Sequence, residues 1–146
     1  MQDVVGRLED LISTTAARLQ ALPESDASRR SAPGKWSKKE ILGHLIDSAA
    51  NNHQRLLRAQ LENPLLFPAY AQEAWVELQA YRQAPWEELI EFWADYNRHL
   101  ARVIANIPDN KRAHRCQIGN AEPVTLEFLV RDYLRHLEHH LGQILA

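Results

Sequence analysis

With a single cysteine, Cys116, among 146 residues, the chain has no internal disulfide. A chain of this length buries roughly 68–70% of its unfolded surface, so its core closes without a disulfide or a structural metal. Any bound metal is therefore functional first. No run of 18 apolar residues occurs, which excludes a transmembrane helix. The opening MQDVVGRLED has neither the basic n-region nor the apolar h-region of a secretion signal, so a cytoplasmic protein is expected. Basic excess is missing too: 17 Lys plus Arg face 19 Asp plus Glu, a net charge of −2, and no general field attracts phosphate backbones. The expected partner is a small-molecule substrate, with no nucleic acid and no membrane, and a homodimer stays open. What remains is an ordinary soluble composition, 45% hydrophobic and 25% charged, expected to form one domain over residues 1–146. No internal repeat interrupts it. The feature to explain is seven histidines.

Hydrophobic spacing predicts four long helices. Val4, Leu8, Leu11, Ile12, Leu19 and Leu22 recur at three- and four-residue steps until Pro23 stops the first. PESDASRRSAPGKW then lacks periodicity and reads as an exposed connection. Ser37-Lys38-Lys39-Glu40 is a capping box that opens a second helix, which runs to Asn63-Pro64. The aromatic stretch from Pro64 to Pro85 reads as a packed connection with one short helix around Gln72 to Gln79. Pro85, Glu87 and Glu88 start a third helix, with an apolar face of Leu89, Phe92, Trp93, Tyr96, Leu100, Val103 and Ile107, and Pro108 ends it. Asp109 to Pro123 is irregular, with Gly119-Asn120 as the turn of a short hairpin. Thr125 caps a fourth helix with an apolar arc of Leu126, Leu129, Val130, Tyr133, Leu137 and Ile144. The fold class expected is all-α: a four-helix bundle with long connections after the first and second helices and an irregular segment before the fourth.

Bundle cores build metal sites from side chains on facing helices. At about 100° per residue, His136 and His140 lie only about 40° apart on the fourth helix, at the edge of its apolar arc, while His139 turns toward solvent. An i, i+4 pair chelates one ion without backbone strain. Such pairs also arise as exposed or hydrogen-bonded histidines, so a third ligand is needed. The second helix offers His44 and His53. His44 borders the apolar face and begins a stripe with Ser48, Asn51 and Arg55, each within about 40° of His44. Polar residues aligned beside a core face suggest a wetted cleft. Three histidines with an open coordination position are the composition of a catalytic zinc site, whereas structural zinc is usually closed by four ligands and rich in cysteine.

The stretch from Lys35 to Asp47, KWSKKEILGHLID, and the stretch from Thr125 to Gln143, TLEFLVRDYLRHLEHHLGQ, resemble the two signature helices of the DinB-like superfamily. The intervening FWADYNRHLARVIANIP resembles its third helix. The resemblance covers most of the chain from Lys35 onward, and a sterol-carrier-like domain is not expected. It implies a four-helix bundle that binds Zn²⁺ or Ni²⁺ through one histidine of the second helix and two of the last, here His44, His136 and His140. The family contains transferases and isomerases that use bacillithiol, mycothiol or glutathione, and members provisionally assigned as metal-dependent hydrolases. The resemblance thus implies a metal-dependent enzyme of the thiol-transferase type acting on a small electrophilic substrate, with a low-molecular-weight thiol as second cofactor. The alternatives are a metal-dependent hydrolase and a non-catalytic metal- or ligand-binding stress-response bundle.

Other polar residues have competing roles. Asp47 is expected to be solvated or to cap. Asn51 and Arg55 could hold an anionic substrate, the alternative for Arg55 being a salt bridge within the bundle. Gln143 could face the metal side or bond to backbone. Cys116 is expected in a loop and inert, and Trp36, Trp75, Trp86 and Trp93 are expected as packing anchors. His53, His99, His114 and His139 are not expected as ligands.

Overall fold

The computed structural model describes residues 1–146. Four long helices, α1 (Gln2–Gln20), α3 (Lys38–Leu61), α5 (Trp86–Ala105) and α6 (Leu126–Leu145), form the bundle; two short ones, α2 (Glu24–Ser28) and α4 (Gln72–Gln79), decorate it. Around the bundle α1 lies against α5, α5 against α3, α3 against α6 and α6 against α1. The periodic faces meet in one core that includes Leu8, Leu42, Leu45, Trp93, Val130 and Leu137. Phe92 is the exception on its face: it is 54% exposed, because it sits at the outer margin of the α5 arc and stacks on Tyr96. No helix is long and apolar enough to cross a membrane.

The capping box forms as the residues require. Ser37 Oγ accepts from the Glu40 N–H at 3.2 Å, and Glu40 Oε1 accepts from the Ser37 N–H at 2.9 Å. The connection after α1 is more ordered than its composition suggests. Lys39, 3% exposed, donates to Glu24 and to the Ala84 carbonyl, and Glu24 also accepts from the Trp86 N–H. Glu24 thereby draws α2 onto the starts of α3 and α5, a long-range tie that no local periodicity announces.

The irregular segments also hold a small sheet: β1 (Leu65–Phe67), β2 (Arg115–Ile118) and β3 (Val124–Thr125), in the order β1-β2-β3. The β2–β3 pair is the expected hairpin, turning through Gly119 at φ +58°, a left-handed conformation that glycine adopts without strain. The parallel β1–β2 pair, with Leu65 opposite Cys116, was not expected, and it moves Cys116 from a loop into a buried strand. This sheet joins the end of α3 to the start of α6. Thr125 of β3 accepts from the Phe128 N–H as the N-cap of α6. On the other side, Lys111 donates to the Gln60 carbonyl, His114 Nδ1 bonds the Ala59 carbonyl, and the Arg115 N–H donates to Asn63.

Candidate metal centre

Antiparallel packing of α3 on α6 brings the N-terminal part of one against the C-terminal part of the other, and His44, His136 and His140 meet there. His44 is 1% exposed, and the other two are half-buried. The Nε2 atoms of His44 and His136 stand 3.1 Å apart, and one ring nitrogen from each of the three histidines lies within 4.8 Å of the others. Tetrahedral zinc with nitrogens at 2.0–2.1 Å requires neighbouring donors roughly 3.3 Å apart, so the donor set fits such an ion. The ring centroids are separated by 5.0, 4.9 and 4.5 Å, mutually edge-on.

Burial holds the rings of His44 and His136 in the neutral, ligating form. Burial, followed by the charges of the neighbouring histidines, lowers His44 to about 4. Burial and His140 lower His136 likewise to about 4. The unfolded chain, with ordinary histidines near 6.5, takes up protons first, so this contribution to stability is complete above about pH 6.5 and is lost as pH falls through about 4. Metal-free protein is therefore expected to lose thermal stability across that window. A His44→Gln/His136→Gln variant melted in parallel should show a flatter profile there; equal slopes would refute the assignment.

Supports differ among the three rings. Gln143 Oε1 accepts from His140 Nδ1 at 2.8 Å, which leaves Nε2 free for an ion. Gln143→Ala is expected to weaken metal affinity about tenfold, read by competition with a chelating dye. The Nδ1 atoms of His44 and His136 are sealed from solvent without a partner, so packing orients these rings. Trp36 lies tilted against His44 at 5.2 Å. An open depression bounded in part by Trp36, Ile41, Val76, Tyr81 and Gln143 adjoins the site.

The other polar residues depart from their expected places. Asp47 is 3% exposed rather than solvated, because α4 and the following turn (Tyr81–Gln83) fold over it. Its Oδ1 accepts from the Tyr81 hydroxyl at 2.7 Å and from Gln79 at 2.8 Å. Burial raises the Asp47 carboxyl above its ordinary range, opposed by those two bonds, and Oδ2 is sealed without a partner. Asn51 donates to the Asp47 carbonyl, and Asn52 to the Ser48 carbonyl, so these amides are engaged along their own helix. No salt bridge forms at Arg55; its guanidinium lies over the Phe67 ring at 5.5 Å. His53 bonds the Tyr96 hydroxyl and packs near His99, His114 bonds backbone, and His139 is exposed. Gln79 and Tyr81 were not singled out as site residues in the sequence, and Trp36 was expected only as a packing anchor. A signal for Tyr81 was present in Gly43, a glycine inside a helix and beside His44, since such a glycine usually marks close approach. Tyr81 packs directly against it.

Relatives share this architecture. A protein from Oceanobacillus iheyensis, provisionally named a metal-dependent hydrolase, is 25% identical over 94% of this chain and 79% of its own length. YfiT of Bacillus subtilis, provisionally named in the same way, is 22% identical over 94% of this chain and 78% of its own. The solved structure of YfiT, described as an unusual four-helix-bundle topology, superposes with a TM-score of 0.86 at 20% identity, over 98% of this chain and 82% of that one. A mycothiol-dependent maleylpyruvate isomerase superposes with a TM-score of 0.79 at 12% identity, over 99% of this chain and 60% of that one. The DinB superfamily model matches residues 7–144, which span all four long helices and the three converging histidines, and the chain belongs to that superfamily.

Proposed function

We propose that the chain is a divalent-metal-dependent enzyme that joins a low-molecular-weight thiol to a small electrophilic substrate at His44, His136 and His140. The observation that carries this reading is the convergence of three imidazoles, two of them kept neutral by burial, at the edge of an open depression. A Zn²⁺ or Ni²⁺ ion held there supplies positive charge that favours the ionised form of a thiol or of water near neutral pH. Gln143 fixes the tautomer of His140, and Trp36 covers one face of His44. The only thiol of the chain, Cys116, is 0% exposed in β2, and burial raises its pKa, so a sulfur nucleophile has to come from outside. The second reading is hydrolysis, favoured by the provisional names of the relatives.

The test is to assay metal-loaded, untagged protein on an electrophilic model substrate with bacillithiol, mycothiol, glutathione or no thiol, with His140→Ala as control. Turnover that requires one thiol and is lost in the variant supports the proposal. Equal rates with and without thiol leave hydrolysis, and no metal-dependent turnover leaves a binding bundle. A chelator is expected to abolish activity while helical circular dichroism persists, because the apolar core closes without the ion.

A further inference from the structure

The outward side of α5 carries a stripe of charges ordered by sign. Glu91, Asp95, Arg98 and Arg102 recur at steps of four, three and four residues, which keeps them within about 60° of one another and away from the buried face of Leu89, Trp93, Leu100 and Ile104. All four are exposed. Asp95 and Arg98 pair along the helix at 2.9 Å, but Glu91 has no ion pair within the chain and Arg102 meets only His99 Nδ1, at 3.4 Å. Charges on α1 and α6 are treated differently, since they pair between helices, Arg7 with Glu138 and Arg131 with Asp3. The helix dipole does not account for the order on α5, because it acts within the first and last turns and Glu91, Asp95 and Arg98 lie between them.

Run in the opposite direction, the stripe is its own complement. A two-fold axis level with the space between Tyr96 and Asn97 sets Glu91 of one copy against Arg102 of a second, and Asp95 against Arg98, with every facing pair of opposite sign. Exposed pairs of this kind contribute little energy, so apolar area has to supply the rest. It lies on the flank toward α3, where Phe92 is 54% and Leu57 43% exposed. The two helices run in the same direction: Lys39 at the start of α3 bonds the Ala84 carbonyl just before α5, and further along His53 bonds the Tyr96 hydroxyl and stands edge-on to His99. Leu57, one turn beyond His53, is therefore level with Ala101 to Val103. The same two-fold brings Phe92 of one copy opposite Ala101 of the second, and so beside that copy's Leu57.

We propose that the outward face of α5, with Leu57 of α3, is the surface on which two copies of this chain associate about a two-fold axis. Two helices of 20 residues meeting over about 30 Å bury less than the roughly 800 Å² per partner of a standard interface, so the dimer is weak, salt-sensitive and formed in the micromolar range. None of the residues bounding the depression beside the histidines lies on this face, and both metal centres stay open in the pair.

Sedimentation velocity of untagged protein, from micromolar to millimolar concentration, tests it. The unsubstituted chain is expected to dimerise, and to do so at least about threefold more weakly in ~0.5 M than in ~0.05 M salt. Glu91→Arg/Asp95→Arg and Arg98→Glu/Arg102→Glu each give the stripe a single sign, and each should weaken self-association at least about tenfold. Mixed together, these two variants should pair with each other. The chain carrying all four substitutions, its signs inverted but again self-complementary, should regain the dimer. Phe92→Ser should weaken it about tenfold by removing the apolar flank. Circular dichroism checks that every variant keeps its helices. A monomer at every concentration, a dimer indifferent to either charge reversal or to Phe92→Ser, or a loss that neither mixing nor the fourfold exchange repairs would each overturn the proposal.

Discussion

Alanine at His44, His136 or His140 is expected to reduce bound zinc or nickel from one equivalent per chain to less than a tenth, measured by elemental analysis of untagged protein after dialysis. Each ring supplies one of three donors held within 4.8 Å, with no carboxylate or cysteine in the group to take its place. The loss should exceed the roughly 10–100-fold that an outer hydrogen-bond partner is worth, because a two-histidine remnant forfeits the chelate as well as the bond. His139→Ala is the matched control: this ring is exposed and lies outside the three-donor group, and its variant should keep a full equivalent. If His139→Ala lost the ion while His140→Ala kept it, the wrong pair on α6 would have been chosen. Helical circular dichroism should be unaltered in all four, since the core around Leu42, Trp93 and Leu137 does not include the rings.

Gly43→Ala is expected to destabilise the fold by about 2–4 kcal/mol, which combines an overpacking cost with the loss of a buried hydrogen bond. A Cβ at this position would stand 2.2 Å from Tyr81 Cδ2 and 2.3 Å from Cγ, far inside contact distance. The ring cannot retreat while its hydroxyl is bonded to Asp47, so it must leave, and the Asp47 carboxylate then loses a donor in a buried place. Urea denaturation measures the cost. A double-mutant cycle separates this account from simple helix propensity, by which Ala would stabilise. Gly43→Ala/Tyr81→Ala should be no less stable than Tyr81→Ala alone, because the new methyl enters the space the ring vacated. Full additivity of the two losses would refute the mechanism.

Much of this was legible in the chain because it is written locally. The capping box at Ser37 and Glu40, the short helix at Gln72–Gln79 and the Thr125 cap depend on residues within one turn of each other, and all appear where expected. The i, i+4 geometry of His136 and His140 is likewise local, and the place of His44 follows from which side of α3 is apolar. What escaped is long-range. The pairing of Leu65 with Cys116 joins segments of three and four residues, too short for a hydrophobic period to emerge. Glu24 meeting Lys39 and Trp86, and Tyr81 reaching Asp47, are side-chain contacts across 15 to 62 residues of sequence. Asp47 was read as solvated for the same reason: its cover comes from a segment whose own pattern says nothing about where it lands.

The three-stranded sheet makes α3 and α6 behave as a pair of tongs. It clamps the end of α3 to the beginning of α6, through the bonds from Lys111, His114 and Arg115 and through the direct passage of β3 into the Thr125 cap. The histidines sit toward the opposite tips, His44 in the second turn of α3 and His140 near the end of α6. Opening at the tips leaves the clamp intact, so the metal-free bundle can breathe at one end while staying registered at the other, and an ion shuts the jaws without having to find their alignment. Amide hydrogen exchange should record that asymmetry. Protection gained on adding zinc is expected for residues 39–46 and 136–145, while the amides of β1 and β2 exchange at the same rate with and without the ion.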